Sequence, residues 1–347
     1  MLIKPNNPHL QYSGRIDWTD KEAPVLVYPC SYIKMKFTGT YVKAVVENHK
    51  SYWSSFLGCF IDGEQKCVKL ADSGRETVLL ADGLTDAEHE LMLFKRMDSC
   101  HVLIFYGFEV DEGATLGEVE PKPTRRIEVY GDSVSAGEVS EAVDYMGQPD
   151  PEHDGEYSNS YYSYTWMTAR NLNAEIHDIA QGGAALMDGT GWFAGPDFVG
   201  MESIYDKIQY YPEPEKPSKW DFQQYRPHVV IVAIGQNDAN PDNYMAEDYE
   251  GEKAKHWRKS YRDFIANLRT IYPKATIILA TTILEHDANW DKAIDEVCRE
   301  LADERIHHFL YSNNGAGTPG HIRIPEAEQM SKELTAFIES LGEEIWE

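Results

Sequence analysis

A chain of 347 residues exceeds the size at which a single hydrophobic core usually stops growing, so two domains are expected. Its 42% hydrophobic and 12% aromatic content excludes a disordered or fibrous chain. The formal net charge of −26, from 58 acidic and 32 basic residues, argues against nucleic acid and anionic membranes as partners and favours a neutral substrate.

The first residues, MLIKPNNPHLQYSG, contain no apolar signal-peptide core, and no stretch approaches the roughly 18 apolar residues of a spanning helix, so a soluble cytoplasmic protein is expected. Five cysteines, Cys30, Cys59, Cys67, Cys100 and Cys298, are odd in number and lie in no CxxC spacing; neither a disulfide framework nor a zinc site is indicated. From Tyr12 to about Val110 the chain runs in short β-branched and aromatic stretches (PVLVYP, YIKMKFTG, YVKAVVEN, FLGCFIDG, CVKLAD, ETVLLAD, HELMLFKR, HVLIFYGFEV) bounded by Gly, Pro, Asp or Asn. That pattern predicts an all-β sandwich of jelly-roll type over residues 1–118.

GEVEPKPTRR reads as a linker, after which the period changes. RRIEVYG, AEIHDIA, HVVIVAI and ATIILATTIL read as buried parallel strands. SNSYYSYTWMTARNLN, KSYRDFIANLRTIYP, DKAIDEVCRELADE and PEAEQMSKELTAFIESLGEEIW read as helices. Residues 119–347 are therefore expected to form an α/β domain with a parallel sheet, whose ligands sit at the carboxyl ends of the strands.

Three polar loops follow three of these strands and should open on one sheet edge. After IEVYG comes Asp132-Ser133-Val134-Ser135-Ala136-Gly137, a tight turn in which Ser133 can project into a cleft with its own N–H facing an oxyanion; an equally good reading is a helix cap. The paired glycines of QGGAAL allow a backbone N–H to face a ligand. In Gly235-Gln236-Asn237-Asp238 the Asn237 amide could donate to an oxyanion, one such donor being worth about 10²–10³ in rate, or the loop could be a self-satisfied turn. A serine needs a base. His321, in the glycine-rich NNGAGTPGHIRIPEAEQM, is favoured for its place at the same edge, with His286, His307 and His308 as competitors.

These motifs resemble the SGNH, or GDSL-like, hydrolases, and within them family 2 of the carbohydrate esterases, which join a jelly roll to a flavodoxin-like SGNH domain and remove acetyl groups from sugars. YSGRIDW, YIKMKFTGT and FIDGE are similar to that N-terminal module, and GDSVSAGE, QGGAAL and GQND to the first three catalytic blocks. The resemblance implies Ser133 as nucleophile, the N–H groups of Ser133 and Gly183 with the Asn237 side chain as oxyanion hole, and His321 as base. It implies neither metal nor cofactor.

The sequence departs from the family just before the histidine. Thr318 and Pro319 stand where an aspartate is usual, and Gly320 replaces an aromatic residue. A Ser133–His321 dyad is therefore expected, the imidazole being oriented by Asn313, Asn314 or a carbonyl of the same loop. Trp192 and Trp290 are candidates for stacking on sugar. The expected activity is deacetylation of plant cell-wall sugars such as acetylated xylan or its oligosaccharides, through an acyl-enzyme. A lipase- or thioesterase-like SGNH enzyme and a non-catalytic carbohydrate-binding protein are the rival readings. An added β module often supplies a subunit contact, which leaves a homo-oligomer open.

Overall fold

In the first half of the chain, alternation decides which side chains share a core. In strand Tyr32–Gly39 it turns Ile33, Met35 and Phe37 inward, each at most 1% exposed. The computed structural model describes residues 1–211 and 218–347. Two six-stranded sheets form the N-terminal sandwich. One runs Ile16–Asp17, Val25–Leu26, Val102–Val110, Val42–His49, Ser73–Ala81, with Leu2–Ile3 paired to Val102–Val110. The other runs Leu116–Gly117, Tyr32–Gly39, Ala87–Lys95, Phe56–Ile61, Glu64–Lys69, with Gln11–Ser13 paired to Tyr32–Gly39. Every pairing is antiparallel, and Ile33, Phe37, Val46, Leu93, Phe105 and Phe108 close the core between them.

The second half forms one five-stranded parallel sheet in the order Ala174–Ala180, Arg125–Gly131, Val229–Ala233, Thr276–Ala280, Ile306–His308. Numbered by chain position the order is 2-1-3-4-5, the flavodoxin-like arrangement in which strand order reverses beside the first strand. Four of the strands coincide with predicted runs. The fifth, Ile306–His308, has only three residues and too little apolar pattern to be seen in advance. The long predicted helices are observed as Glu252–Ile271, Ala288–Leu301 and Ile324–Ser340, and SYYSYTWMTARN divides into a 3-10 turn and helix Tyr164–Asn171. No helix among the described residues is long and apolar enough to cross a membrane.

The two halves meet through buried polar groups. Arg15, fully buried, lies 3.5 Å from Glu128 of strand Arg125–Gly131, donates to the carbonyls of Tyr205 (2.6 Å) and Lys207 (3.1 Å), and is sandwiched by Tyr28 and Trp220. Ser13 donates to Glu175 at 2.8 Å.

Beside this seam Asp178 is buried, its Oδ2 accepting from Thr165 (2.8 Å) and the Cys30 thiol (3.4 Å). Burial pushes its carboxyl up to about 8, only partly offset by those two donors. The folded protein therefore holds a proton there that the unfolded chain releases near the ordinary value of about 3.9, so stability falls as pH rises between the two. Asp238, raised to about 7 by burial, adds to the same trend. Melting temperature should decline from pH 5 to pH 8, and Asp178→Asn should flatten that decline; equal slopes in the two proteins would refute the assignment.

Candidate active site

The carboxyl edge of the parallel sheet is where the polar loops emerge, and they line one cavity of about 630 Å³. Ser133 opens the short helix Ser133–Ala136 directly after strand Arg125–Gly131 and is 8% exposed. The cap of that helix is Asp132, whose Oδ1 accepts the Val134 N–H at 3.0 Å, so capping is not the task of Ser133. Gly183, Asn237 and His321 line the same cavity. Ser133, Gly183, Asn237 and His321, all singled out from the sequence, thus come together.

Two acids hold the donors in place. Asp132 Oδ2 accepts from Gln236 (2.9 Å) and Asn237 (3.3 Å), and Asn237 also donates to the Ala184 carbonyl at 3.1 Å. Burial raises Asp132 to about 6, against the bonds from Val134 and Gln236, which leaves it ionised at neutral pH. Asp238 does not merely satisfy its own turn: it accepts the N–H groups of Leu186 (2.8 Å) and Met187 (3.3 Å), tying the third loop to the second. The sandwich fastens the second loop from the other side. Asp98 Oδ2 accepts from the Gly182 N–H (2.9 Å), the Gln181 amide (2.5 Å) and the Tyr52 hydroxyl (2.6 Å), and Ser99 donates to the Ala180 carbonyl (2.9 Å).

The orienting group for His321 comes from an unexpected place. Its Nδ1 lies 2.7 Å from Asp150 Oδ2, while Asp150 Oδ1 meets Arg323, fully buried, at 2.9 Å. Arg323 also donates to the His321 carbonyl at 2.8 Å. Burial alone would raise Asp150, but the hydrogen bond and charge of His321, then those of Arg323, outweigh it and hold the carboxyl below its ordinary range. The expectation that Asn313, Asn314 or a loop carbonyl orients His321 is therefore corrected: the group at Nδ1 is Asp150. Asn314 instead donates to Asp291 (2.7 Å), in a cluster that also binds His286 through Asp291 (2.9 Å) and the Leu284 carbonyl (2.6 Å). That satisfied cluster removes His286 as a competitor, and His307 and His308 lie in the edge strand Ile306–His308, outside the cavity lining.

Gly320 also receives its explanation. With φ at +87° it sits where side chains are strained, and a Cβ would lie 2.5 Å from Asp150 Oδ2. An aromatic residue before the histidine is incompatible with an acid arriving from this side. Sequence reading missed Asp150 because it lies 171 residues from His321, in a loop with no family motif. The one available signal was the pair of departures at Thr318 and Gly320.

His321 Nε2 stands 3.4 Å from Glu138 Oε2; among the described residues it makes no hydrogen bond with Ser133 Oγ, a contact that often tightens only when substrate binds. Glu138 is pushed well above its ordinary value by burial and then by the charge of Asp98. Of the two tryptophans, Trp192 is 66% exposed at the cavity, across from Tyr52 and Trp53 of the sandwich. Trp290 is corrected: it is fully buried, packed edge-on against Trp257 and bonded to Asn243, and belongs to the core.

An oxyanion-type loop pair, a serine at the end of the first strand and a histidine on the last loop of a 2-1-3-4-5 sheet, met by an aspartate from the segment after the first strand, go with an SGNH-type hydrolase fold. Within that class the chain is similar to family 2 of the carbohydrate esterases: residues 12–119 match the family model described as Carbohydrate esterase 2 N-terminal. The cellulase/esterase CelE of Acetivibrio thermocellus is 28% identical over 96% of this chain, which spans only 40% of that protein. The acetylxylan esterase / glucomannan deacetylase of Cellvibrio japonicus is 26% identical over 96% of this chain and 89% of its own length. A family two carbohydrate esterase from Clostridium thermocellum, solved in complex with cellohexaose, superposes with a TM-score of 0.79 at 26% identity, covering 96% of this chain and 98% of the other.

If Asp150 orients His321, Asp150→Asn should slow covalent labelling of Ser133 by a fluorophosphonate by about 10²–10⁴, the upper figure being the cost of the same change in a serine-protease triad. Labelling at the unaltered rate would exclude Asp150 from the site's machinery.

Proposed function

We propose that this chain is a serine esterase that removes O-acetyl groups from neutral plant cell-wall sugars, with short acetylated xylo-oligosaccharides as the preferred substrates. The observation that carries the reading is the His321–Asp150 couple at 2.7 Å on the wall of the cavity that Ser133 lines. It is supported by the similarity to an acetylxylan esterase / glucomannan deacetylase along nearly the whole chain.

His321 Nε2 takes the Ser133 proton as Oγ attacks the acetyl carbonyl, and Asp150 stabilises the imidazolium that forms. The negative charge on the carbonyl oxygen is met by the N–H groups of Ser133 and Gly183 and by the Asn237 amide, which keeps its bond to the Ala184 carbonyl and turns its other N–H from the long contact with Asp132 (3.3 Å) to the oxyanion. His321 returns the proton to the departing sugar hydroxyl. Water, deprotonated by the same imidazole, then releases acetate and restores Ser133.

Tyr52, Trp53, Trp192 and Tyr211 give the cavity aromatic faces suited to the apolar faces of pyranose rings, and its volume suits one or two sugar units. The reading of this domain as a catalytically dead sugar binder rested on the acid missing at Thr318, and Asp150 removes that support.

Ser133→Ala should lower turnover of 4-nitrophenyl acetate and release of acetate from acetylated xylo-oligosaccharides by something on the order of 10⁶. The wild-type protein should also prefer acetyl over octanoyl esters. Undiminished turnover in the variant would end the serine mechanism, and a preference for octanoyl would end the deacetylase reading in favour of a lipase-like one.

A further inference from the structure

The segment that supplies Asp150, residues 143–158, contains no strand and only one 3-10 turn, Val143–Tyr145. Besides a few backbone bonds, such as the Glu141 N–H to the Tyr157 carbonyl (3.0 Å) and the Ser158 N–H to the Gly155 carbonyl (3.1 Å), it is held by side-chain attachments. Those attachments come from two sides. Toward the α/β domain the Gly147 N–H donates to Thr318 Oγ1 at 2.8 Å, and Asp150 meets His321 and Arg323.

Toward the sandwich, Asp154 Oδ1 accepts the Ser54 N–H at 3.0 Å, and its Oδ2 accepts the Ser54 hydroxyl at 2.5 Å and the Lys69 ammonium at 3.1 Å. Trp53 lies against His153 with ring centroids 4.3 Å apart. Arg96, buried in the sandwich, donates to the carbonyls of Glu156 and Ser158 at 3.0 Å each and to Glu141 at 2.5 Å, closing both ends of the segment.

The link between Asp154 and Asp150 is short and stiff. Three residues separate them, and Pro149 and Pro151 flank Asp150, fixing two φ angles and restricting the residue before each. A shift at residue 154 is therefore passed to the carboxylate at residue 150. The Lys69 ion pair is exposed on both partners and contributes little by itself. The paired hydrogen bonds from Ser54, which also hold Asp154 well below the ordinary carboxylate range, carry the attachment.

We propose that Asp154 is a positioning residue for the reaction: clamped by Ser54 of the N-terminal sandwich, it braces the segment so that Asp150 meets His321 Nδ1. The N-terminal domain then acts on the chemical step itself as well as on substrate binding. The inference rests on the esterase reading, and Ser133→Ala assayed in parallel separates the two: activity surviving there refutes the esterase, whereas an inactive Ser133→Ala beside an unimpaired Asp154→Ala refutes only the brace.

A misplacement of about 1 Å in catalytic geometry typically costs on the order of 10² in rate. Asp154→Ala should therefore lower kcat on 4-nitrophenyl acetate about 10- to 100-fold with KM changed less than about twofold, and Asp154→Asn, which retains an acceptor for the Ser54 N–H, should recover most of the loss. The deciding measurement is a double-mutant cycle. In the Asp150→Asn background, Asp154→Ala should cost nothing further, because the group it positions has gone. A loss that is equal in both backgrounds, or a wild-type kcat in Asp154→Ala, would overturn the proposal. Should Asp154→Ala fail to fold, Ser54→Ala, which removes only the hydroxyl donor, enters the same cycle with the same expected sign.

Discussion

The arrangement of this molecule depends on a buried charge that crosses between its two halves. Arg15 leaves the sandwich and ends beside Glu128 of strand Arg125–Gly131 in the parallel sheet, with neither side chain in contact with solvent. Part of the cost of burying both is offset by neighbours: Glu128 Oε1 accepts from Tyr130 and Tyr272, and Arg15 Nη1 donates to two carbonyls while the guanidinium lies between aromatic rings, which leaves the Arg15 Nη2–Glu128 Oε2 approach at 3.5 Å to balance the remaining charge. Losing one partner of such a pair costs about 3–5 kcal/mol because the other charge is stranded. The pair therefore fixes how the sandwich sits on the sheet, and everything the sandwich contributes at the cavity follows from that placement.

Those contributions are substantial. Asp98 and Ser99 hold the loop of Gly182 and Gly183, Tyr52 and Trp53 form one wall of the cavity, and Arg96 and Ser54 secure the segment that delivers Asp150. An active site on a parallel sheet is ordinarily built from the loops at the carboxyl ends of its own strands. Here those loops carry Ser133, Gly183, Asn237 and His321, while much of what keeps them in register is anchored in the other domain.

The exchange around His321 shows how a site keeps its chemistry while changing its source. An acid two or three residues before a histidine orients it cheaply, since the two are joined by the same short loop. With Thr318 and Pro319 in those positions, the carboxylate arrives from residue 150, and three further adjustments accompany it: glycine at 320 to leave room, Arg323 buried beneath to fix the second oxygen, and Thr318 bonded to the Gly147 N–H. None of the three is informative alone. Together they form a consistent packing solution around one hydrogen bond of 2.7 Å.

Much of this was legible from residue order. Alternating and continuous apolar runs determine the sandwich and four of the five parallel strands, because burial on one face or two leaves a period that local composition displays. The rule that polar loops converge at the carboxyl edge was enough to bring Ser133, Gly183, Asn237 and His321 together. What only the tertiary structure decided were contacts between segments distant in the chain: Asp150 with His321, Trp290 turned into the core while Trp192 stays at the cavity, and the sandwich loops reaching the catalytic edge. Sequence periodicity reports which face of an element is buried. It carries no record of which remote side chain will fill the space opposite, and that is settled by packing and by the cost of leaving a buried charge or hydrogen-bond group unpaired.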